Sequence, residues 1–196
     1  MTRPGWTLSD CELVDYSREH VFYEIKMLFD TGSLLLDRNT FDQIKPDSVR
    51  EVMHFAAIES FATHVKTLVN FFYPENERKS DVLGRYFFPG DQLPSTFPPL
   101  SPVLDDARRR ASKEVGHLTT ERIAGELPEK NWPVRQVLEG LRAVLLEFVR
   151  GASPSKIHGD LERFVTAREV PIFLVVGVAD NTTCSSSPSV ISLTFP

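Results

Sequence analysis

The sequence lacks the short motifs that mark the common enzyme classes. It has no glycine-rich nucleotide-binding loop, no His-Glu-x-x-His zinc pattern and no Gly-x-Ser-x-Gly nucleophile turn. His54 and His64 lie on one predicted helix about 15 Å apart by the helical rise, so they cannot share a metal ion. We therefore expect no metal ion or other cofactor and none of the familiar hydrolase, dehydrogenase or kinase chemistries.

Cysteine is scarce and the apolar runs are short. Cys11 and Cys184 lie far apart without metal-ligand spacing, which fits a reducing compartment rather than a disulfide framework. The longest apolar run, Ile172 to Val178, is far below the roughly 20 residues of a membrane-spanning helix. The first residues also lack the basic-then-apolar pattern of a secretory signal. We expect a cytoplasmic protein that does not contact membranes.

The chain has no excess of positive charge. Its net charge is −5, so any site for a polyanion must be local rather than a property of the whole surface. The hydrophobic fraction of 41% and the charged fraction of 25% are ordinary for a globular protein. A length of 196 residues suits one domain, or one domain with a tail.

Apolar residues recur at spacings of three and four in five segments, which predicts an all-α bundle of four or five helices. The clearest pattern lies in the second segment, where Asp47 or Ser48 is the expected N-cap and Pro74 the expected stop. Gly32 is unfavourable within the first, because glycine costs roughly 1 kcal/mol relative to alanine in a helix. The predicted helices cover about His20–Leu36, Pro46–Tyr73, Ser101–Ile123, Trp132–Gly151 and Ser155–Thr166.

Two segments do not fit the helical pattern. Phe87 to Pro102 contains five prolines, which exclude a regular helix, and its aromatic residues predict an ordered connection lying over the core. After a helical domain at 1–168, residues 169–196 are apolar and β-branched and then rich in serine and threonine. They fit either a short β-hairpin or a poorly ordered tail, and we favour the tail because a lone hairpin is marginally stable.

The third predicted helix carries the most suggestive polar stripe. Helical spacing places Arg110, Lys113 and His117 on one side, together with Glu114 and Glu121. A ribonuclease that uses no metal needs a general acid or base near neutral pH and a cation for the scissile phosphate, and histidine and arginine suit those tasks. The alternative is that these charged residues form ion pairs on a solvated helix face and that His117 is hydrogen-bonded locally. The spacing alone favours this alternative.

Three stretches of the chain resemble a group of uncharacterised bacterial helical proteins. They are Ala57–His64, Asn70–Tyr73 and Ser112–Thr119, and the resemblance spans roughly Tyr23 to Phe148. More distantly, a helical bundle with an arginine and a histidine a few residues apart is similar to the HEPN superfamily. That resemblance implies a small all-α domain, usually dimeric, and in many members a metal-independent ribonuclease of toxin–antitoxin, defence or RNA-processing systems.

These observations lead to two functional hypotheses. In the first, a HEPN-like domain binds or cleaves RNA, with Arg110 and His117 as the catalytic pair and Arg109 and Lys113 binding the substrate. In the second, the domain is a non-catalytic interaction module, and the same stripe pairs with a partner protein or with a second copy of the chain. The acidic net charge favours the second hypothesis, and the resemblance favours the first.

Overall fold

A computed structural model describes residues 8–37, 39–115 and 131–167 of the chain. Within these ranges the regular structure is entirely helical and contains no strand. The predicted all-α fold is therefore confirmed. The predicted tail at 169–196 and His117 both lie outside the described residues.

The first helical rod is longer than the sequence predicted. It consists of α1 (Asp10–Tyr16), a π-helical turn (Ser17–Val21) and α2 (Phe22–Leu36). The predicted start at His20 was wrong, because Ser9 and Glu12 form a reciprocal capping box that begins the rod at Asp10. Gly32 is buried, and a Cβ atom there would lie 2.9 Å from Leu138, so its small size permits close packing.

The longest helix, α3 (Asp47–Phe72), agrees with the predicted range to within one residue at each end. The predicted cap was wrong: Pro46 is the N-cap, and no side chain accepts a hydrogen bond there. The inward-facing Phe61, Val65 and Leu68 are almost fully buried. Helix α3 packs against both α2 and α4 and forms the centre of the core.

The proline-rich connection is ordered and lies over the core, as predicted. It contains two short 3₁₀ turns, Gly84–Phe87 and Pro89–Asp91. Phe87 and Phe88 are buried, while the backbone carbonyl of Phe87 accepts a hydrogen bond of 2.8 Å from the amide of Ser153. Burial of the Tyr73 phenol, whose hydroxyl donates to the Pro98 carbonyl, raises the pKa of Tyr73 to about 12.

The remaining helices begin close to their predicted positions, with one exception. Helix α4 (Pro102–Arg110) is capped by Ser101 and continues as a π-helical turn, Ala111–Val115; its predicted end at Ile123 lies outside the described residues. Helix α5 (Val134–Gly151) follows Pro133. Helix α6 (Gly159–Ala167) begins later than the predicted Ser155, because residues 154–156 form a turn.

Helices α2, α3, α4 and α5 form a four-helix arrangement in which each packs against the next, and α5 returns to α2. Helix α6 lies outside this ring, against α5 and the first π-helical turn. Five of the phenylalanines of the described residues that are at most 3% exposed belong to one aromatic cluster or lie close to it along α3. They fill the end of the bundle under the proline-rich connection: Phe72, Phe87, Phe88 and Phe148, with Phe61 further along α3.

Candidate functional sites

The basic run on α4 begins with an arginine that holds the fold together. Arg108 is 7% exposed, and its guanidinium donates a 3.0 Å hydrogen bond to the carbonyl oxygen of Tyr73. The same group pairs with Glu75 at 2.9 Å and with Asp105 on its own helix. Arg108 thus fastens α4 to the C-terminal end of α3, where the helix leaves carbonyl oxygens without helical partners.

Arg109, a predicted substrate-binding residue, is exposed and ion-paired. Its guanidinium lies 3.3 Å from Asp106 and 3.7 Å from Asp105, one helical turn away. Such exposed pairs contribute little stability, but they neutralise part of the positive field of the run. The local surface is therefore less basic than the three consecutive arginines suggest.

Arg110 holds α4 against the segment that leads into α5. Its guanidinium donates to the carbonyl oxygen of Asn131 at 3.2 Å, and its central carbon lies 4.7 Å from the centre of the Trp132 ring. This is the distance of a cation–π contact. Lys113 is exposed on the following π-helical turn. Because His117 lies outside the described residues, convergence of Arg110 and His117 on one phosphate stays a prediction.

A cleft of about 570 Å³ opens on another side of the molecule, between the first rod, the end of α3 and the Pro74–Leu83 connection. Tyr16, His20 and Glu24 line it from the first rod. The π-helical turn lies at this wall, and such turns are frequent at functional sites. The volume falls within the range of small-molecule sites in proteins.

A histidine–carboxylate pair borders the cleft. His64 Nδ1 lies 2.7 Å from Glu24 Oε2, and the edge of the Tyr23 ring packs against the imidazole. His64 is 7% exposed, so the carboxylate supplies the partner that a buried imidazole nitrogen needs. Because Glu24 also lines the cleft, the pair fixes the position of one cleft carboxylate.

Carboxylates set the electrostatic character of the cleft. Burial raises the pKa of the Tyr16 phenol, and the negative charges of Glu24 and Asp81 raise it further. Each of these effects disfavours the phenolate form. Tyr16 is thereby held as a neutral hydroxyl beside two anionic groups.

Sequence reasoning missed this pair, although a signal was present. Glu24 and His64 are separated by 40 positions, so no local motif links them. His64 does, however, lie three residues after Phe61 and four before Leu68, which places it on the inward stripe of α3. A histidine at an inward position requires a polar partner from another helix, and α2 provides it.

The N-terminal half of α3 carries an exposed apolar surface, which we call the outer face. Spacings of three and four residues place its members along one side of the helix. Each of its larger side chains is between 44 and 66% exposed. A contiguous exposed apolar surface of this kind marks an interaction site more often than a random surface does. The outer face consists of Val49, Val52, Met53, Phe55 and Ala56.

The outer face points away from the bundle. At about 100° per residue, its centre lies on the opposite side of α3 from the buried Phe61 and Leu68. The same outward side continues through Glu59, Thr63 and Lys66 in the second half of the helix. One side of α3 therefore changes from apolar to polar along its length, and only its first turns have the composition of a contact surface.

Comparisons of the chain with family models, curated proteins and solved structures find no match. Across residues 8–37, 39–115 and 131–167, no helix combines the length and apolarity needed to cross a membrane. The same ranges hold no group of three histidine, cysteine, aspartate or glutamate side chains placed to bind a metal ion. These comparisons therefore neither support nor oppose the resemblance to HEPN proteins, which rests on the residues alone.

Proposed function

We propose that this domain is a non-catalytic helical interaction module that pairs with a second copy of the chain through the outer face of α3. The exposed apolar outer face carries the proposal. Val52, Met53 and Phe55 are each at least half exposed, and removing such side chains from water is favourable by roughly 25 cal/mol per Å² of apolar surface. A second copy offers the same surface to the first.

The charges of residues 45–51, which lead into and begin α3, favour a second copy over a strongly charged partner. Positive and negative side chains are equal in number there, and they alternate along the chain. In an isologous pair, each positive group of one copy can approach a negative group of the other. A highly acidic or basic partner would find no net charge of opposite sign on this part of the surface. The four charged residues are Lys45, Asp47, Arg50 and Glu51.

Val52→Glu is expected to weaken self-association by roughly 100-fold or more, because each copy would bring an unpaired carboxylate into the apolar contact. Light scattering and analytical ultracentrifugation over a wide concentration range measure the effect. The wild-type mass is expected to rise from monomer towards dimer with concentration, since a contact built on a few side chains of one helix supports a weak pair.

Thr63→Glu is the matched control for Val52→Glu. It adds the same charge to the same side of α3, about 16 Å further along by the helical rise. Its dimerisation is expected to match that of the wild type. A wild-type chain that stays monomeric at every concentration, or equal weakening by both variants, would refute pairing through the outer face.

A second candidate function is RNA binding or cleavage of the HEPN type. It is supported by the exposed cations Arg109 and Lys113, on the helical segment that leads towards His117. In this function Arg110 stabilises the charge of the phosphate and His117 acts as the general acid or base. The cation–π contact with Trp132 would keep the Arg110 guanidinium in one orientation.

His117→Ala is expected to lower RNA cleavage by roughly 100-fold or more if His117 transfers a proton in the reaction. Cleavage of labelled RNA is compared among wild type, His117→Ala and the control His54→Ala, which removes an exposed histidine from α3. No cleavage by any of the three proteins would eliminate the nuclease function, and equal cleavage by all three would eliminate His117 as its general acid or base. A loss confined to His117→Ala would support it over the interaction module.

A further inference from the structure

The cleft between the first rod and the end of α3 has the construction of a ligand site that neither proposed function uses. It lies beside the second half of α3, whereas the outer face occupies the first half. It also contains no residue of the basic run on α4. A ligand bound in this cleft would therefore give the domain a binding activity that is separate from its pairing through the outer face.

The walls of the cleft divide into an apolar and a polar part. Phe71 and the ring of Tyr16 supply flat apolar surface, and the Tyr16 and His20 rings lie with their centres 4.7 Å apart. Asn70 adds an amide that both donates and accepts hydrogen bonds. A concave surface that combines aromatic rings with a few convergent polar groups is typical of sites for small organic molecules.

Negative charge outweighs positive charge in the cleft. Glu24, Glu75 and Asp81 line it, against one arginine, Arg78. Arg108 pairs with Glu75 at 2.9 Å and offsets part of its charge, so Glu24 and Asp81 are the principal anions of the cleft. Burial raises the pKa of Tyr16, and the negative charges of Glu24 and Asp81 raise it further, which agrees with the presence of Tyr16 and both carboxylates in the lining of this cleft.

Both principal carboxylates are held in place by the fold. His64 fixes Glu24 through Oε2, and the backbone amide of Arg78 donates to Asp81 Oδ2 at 2.9 Å. Each carboxylate has a second oxygen for a ligand, since an ionised carboxyl group accepts several hydrogen bonds. Carboxylates fixed in this way do not need to be ordered when a ligand arrives, which favours binding.

We propose that this cleft binds a small organic cation with a primary ammonium group on an aliphatic chain. The ammonium donates its three hydrogen bonds to Asp81, Glu24 and neighbouring oxygen acceptors. Its carbon chain lies against the Tyr16 and Phe71 rings. An ammonium group close to the face of either ring gains a further cation–π attraction. An anion of the same size would meet two fixed carboxylates.

Calorimetric titration of the full chain with three probes of equal length tests the proposal: butanediamine, the neutral butanediol and the anionic butanedioate. Butanediamine is expected to bind, and the other two are expected to show no measurable binding. Asp81→Asn is expected to weaken butanediamine binding by about tenfold or more, because one charge-assisted hydrogen bond is lost. Asparagine keeps an oxygen that can accept from the Arg78 amide, so the local turn is retained.

Glu139→Gln is the matched control, since it removes one exposed carboxylate from α5, which does not line the cleft. It is expected to bind butanediamine as the wild type does. Equal binding of diamine and diol, stronger binding of the dicarboxylate, equal weakening in both variants, or no binding of butanediamine would each overturn the proposal. Because the variants leave the outer face intact, their mass distributions report on pairing separately.

Discussion

Phe148→Ala is expected to lower the free energy of unfolding by about 3–5 kcal/mol. The ring is fully buried on α5, at the point where the proline-rich connection crosses the bundle. Its centre lies between 5.2 and 5.9 Å from those of four other rings, mostly edge-on or tilted. These partners are Phe71, Phe72, Phe87 and Phe88.

Truncation at this position removes one ring and leaves a cavity that four rigid rings cannot easily fill. The surrounding aromatic pairs, each contributing about 0.5–1.5 kcal/mol beyond area burial, lose their common partner. Since small domains are stable by only about 5–15 kcal/mol, the loss is a large fraction of the total. Urea titration followed by circular dichroism measures it.

Phe55→Ala is the control for Phe148→Ala, because it deletes the same atoms from a ring that is 54% exposed on the outer face. Its expected effect on monomer stability is within about 0.5 kcal/mol. Similar losses in the two variants would show that Phe148 does not have the central packing role assigned to it. Unfolding is measured at low concentration, so that pairing through the outer face does not contribute.

Arg108→Ala is expected to lower the free energy of unfolding by about 2–3 kcal/mol, the magnitude associated with hydrogen bonds to charged groups. The buried guanidinium holds the Tyr73 carbonyl and two carboxylates that belong to different parts of the fold. The loss of unfolding free energy is limited because Glu75 and Asp105 can be solvated once the arginine is gone. Their side chains are 59% and 37% exposed. The Tyr73 carbonyl loses its partner at the end of α3.

Arg109→Ala is the matched control for Arg108→Ala, because the two residues are adjacent, identical and on the same helix. Arg109 is exposed with surface ion pairs only, and its expected effect is below about 0.5 kcal/mol. If RNA binding occurs, Arg109→Ala is expected to weaken it without changing stability. Equal stability losses in both variants would contradict the structural role of Arg108.

The three arginines illustrate how far charge patterning can predict function. In the sequence, Arg108 to Arg110 form one basic run. Its last two members, Arg109 and Arg110, are the predicted RNA-binding and catalytic arginines. In the structure, Arg108 is an internal tether, Arg109 is paired with aspartates, and Arg110 stacks on Trp132. The run therefore offers less free positive potential than its composition indicates, which favours the interaction module.

Helix ranges were predicted well where the periodicity was strong and a proline marked a boundary. Pro46 and Pro74 bound α3, and Pro133 precedes α5. Prediction failed where the cue was a cap and not a periodicity: the Ser9–Glu12 box begins α1 before any clear apolar stripe. Both outcomes have a local physical cause, because caps and prolines act within one helical turn.

The candidate sites were less predictable, because they depend on contacts between distant segments. Glu24 and Asp81 line the same cleft and His64 pairs with Glu24, and the separation of these residues along the chain hides the arrangement from any local pattern. The outer face was equally hidden. Its valines, methionine and phenylalanine have the composition of a core, and only the position of neighbouring helices exposes them.

The sequence by itself determined an all-α domain, the approximate bounds of α3 and α5 and a connection that covers the core, because helical periodicity and prolines act locally. It also determined that no common catalytic motif is present. Only the tertiary structure decided which apolar residues remain at the surface, which arginines are consumed in holding helices together, and which carboxylates face one cleft. Those outcomes depend on how helices pack, and packing depends on the sum of many weak contacts between residues far apart in sequence.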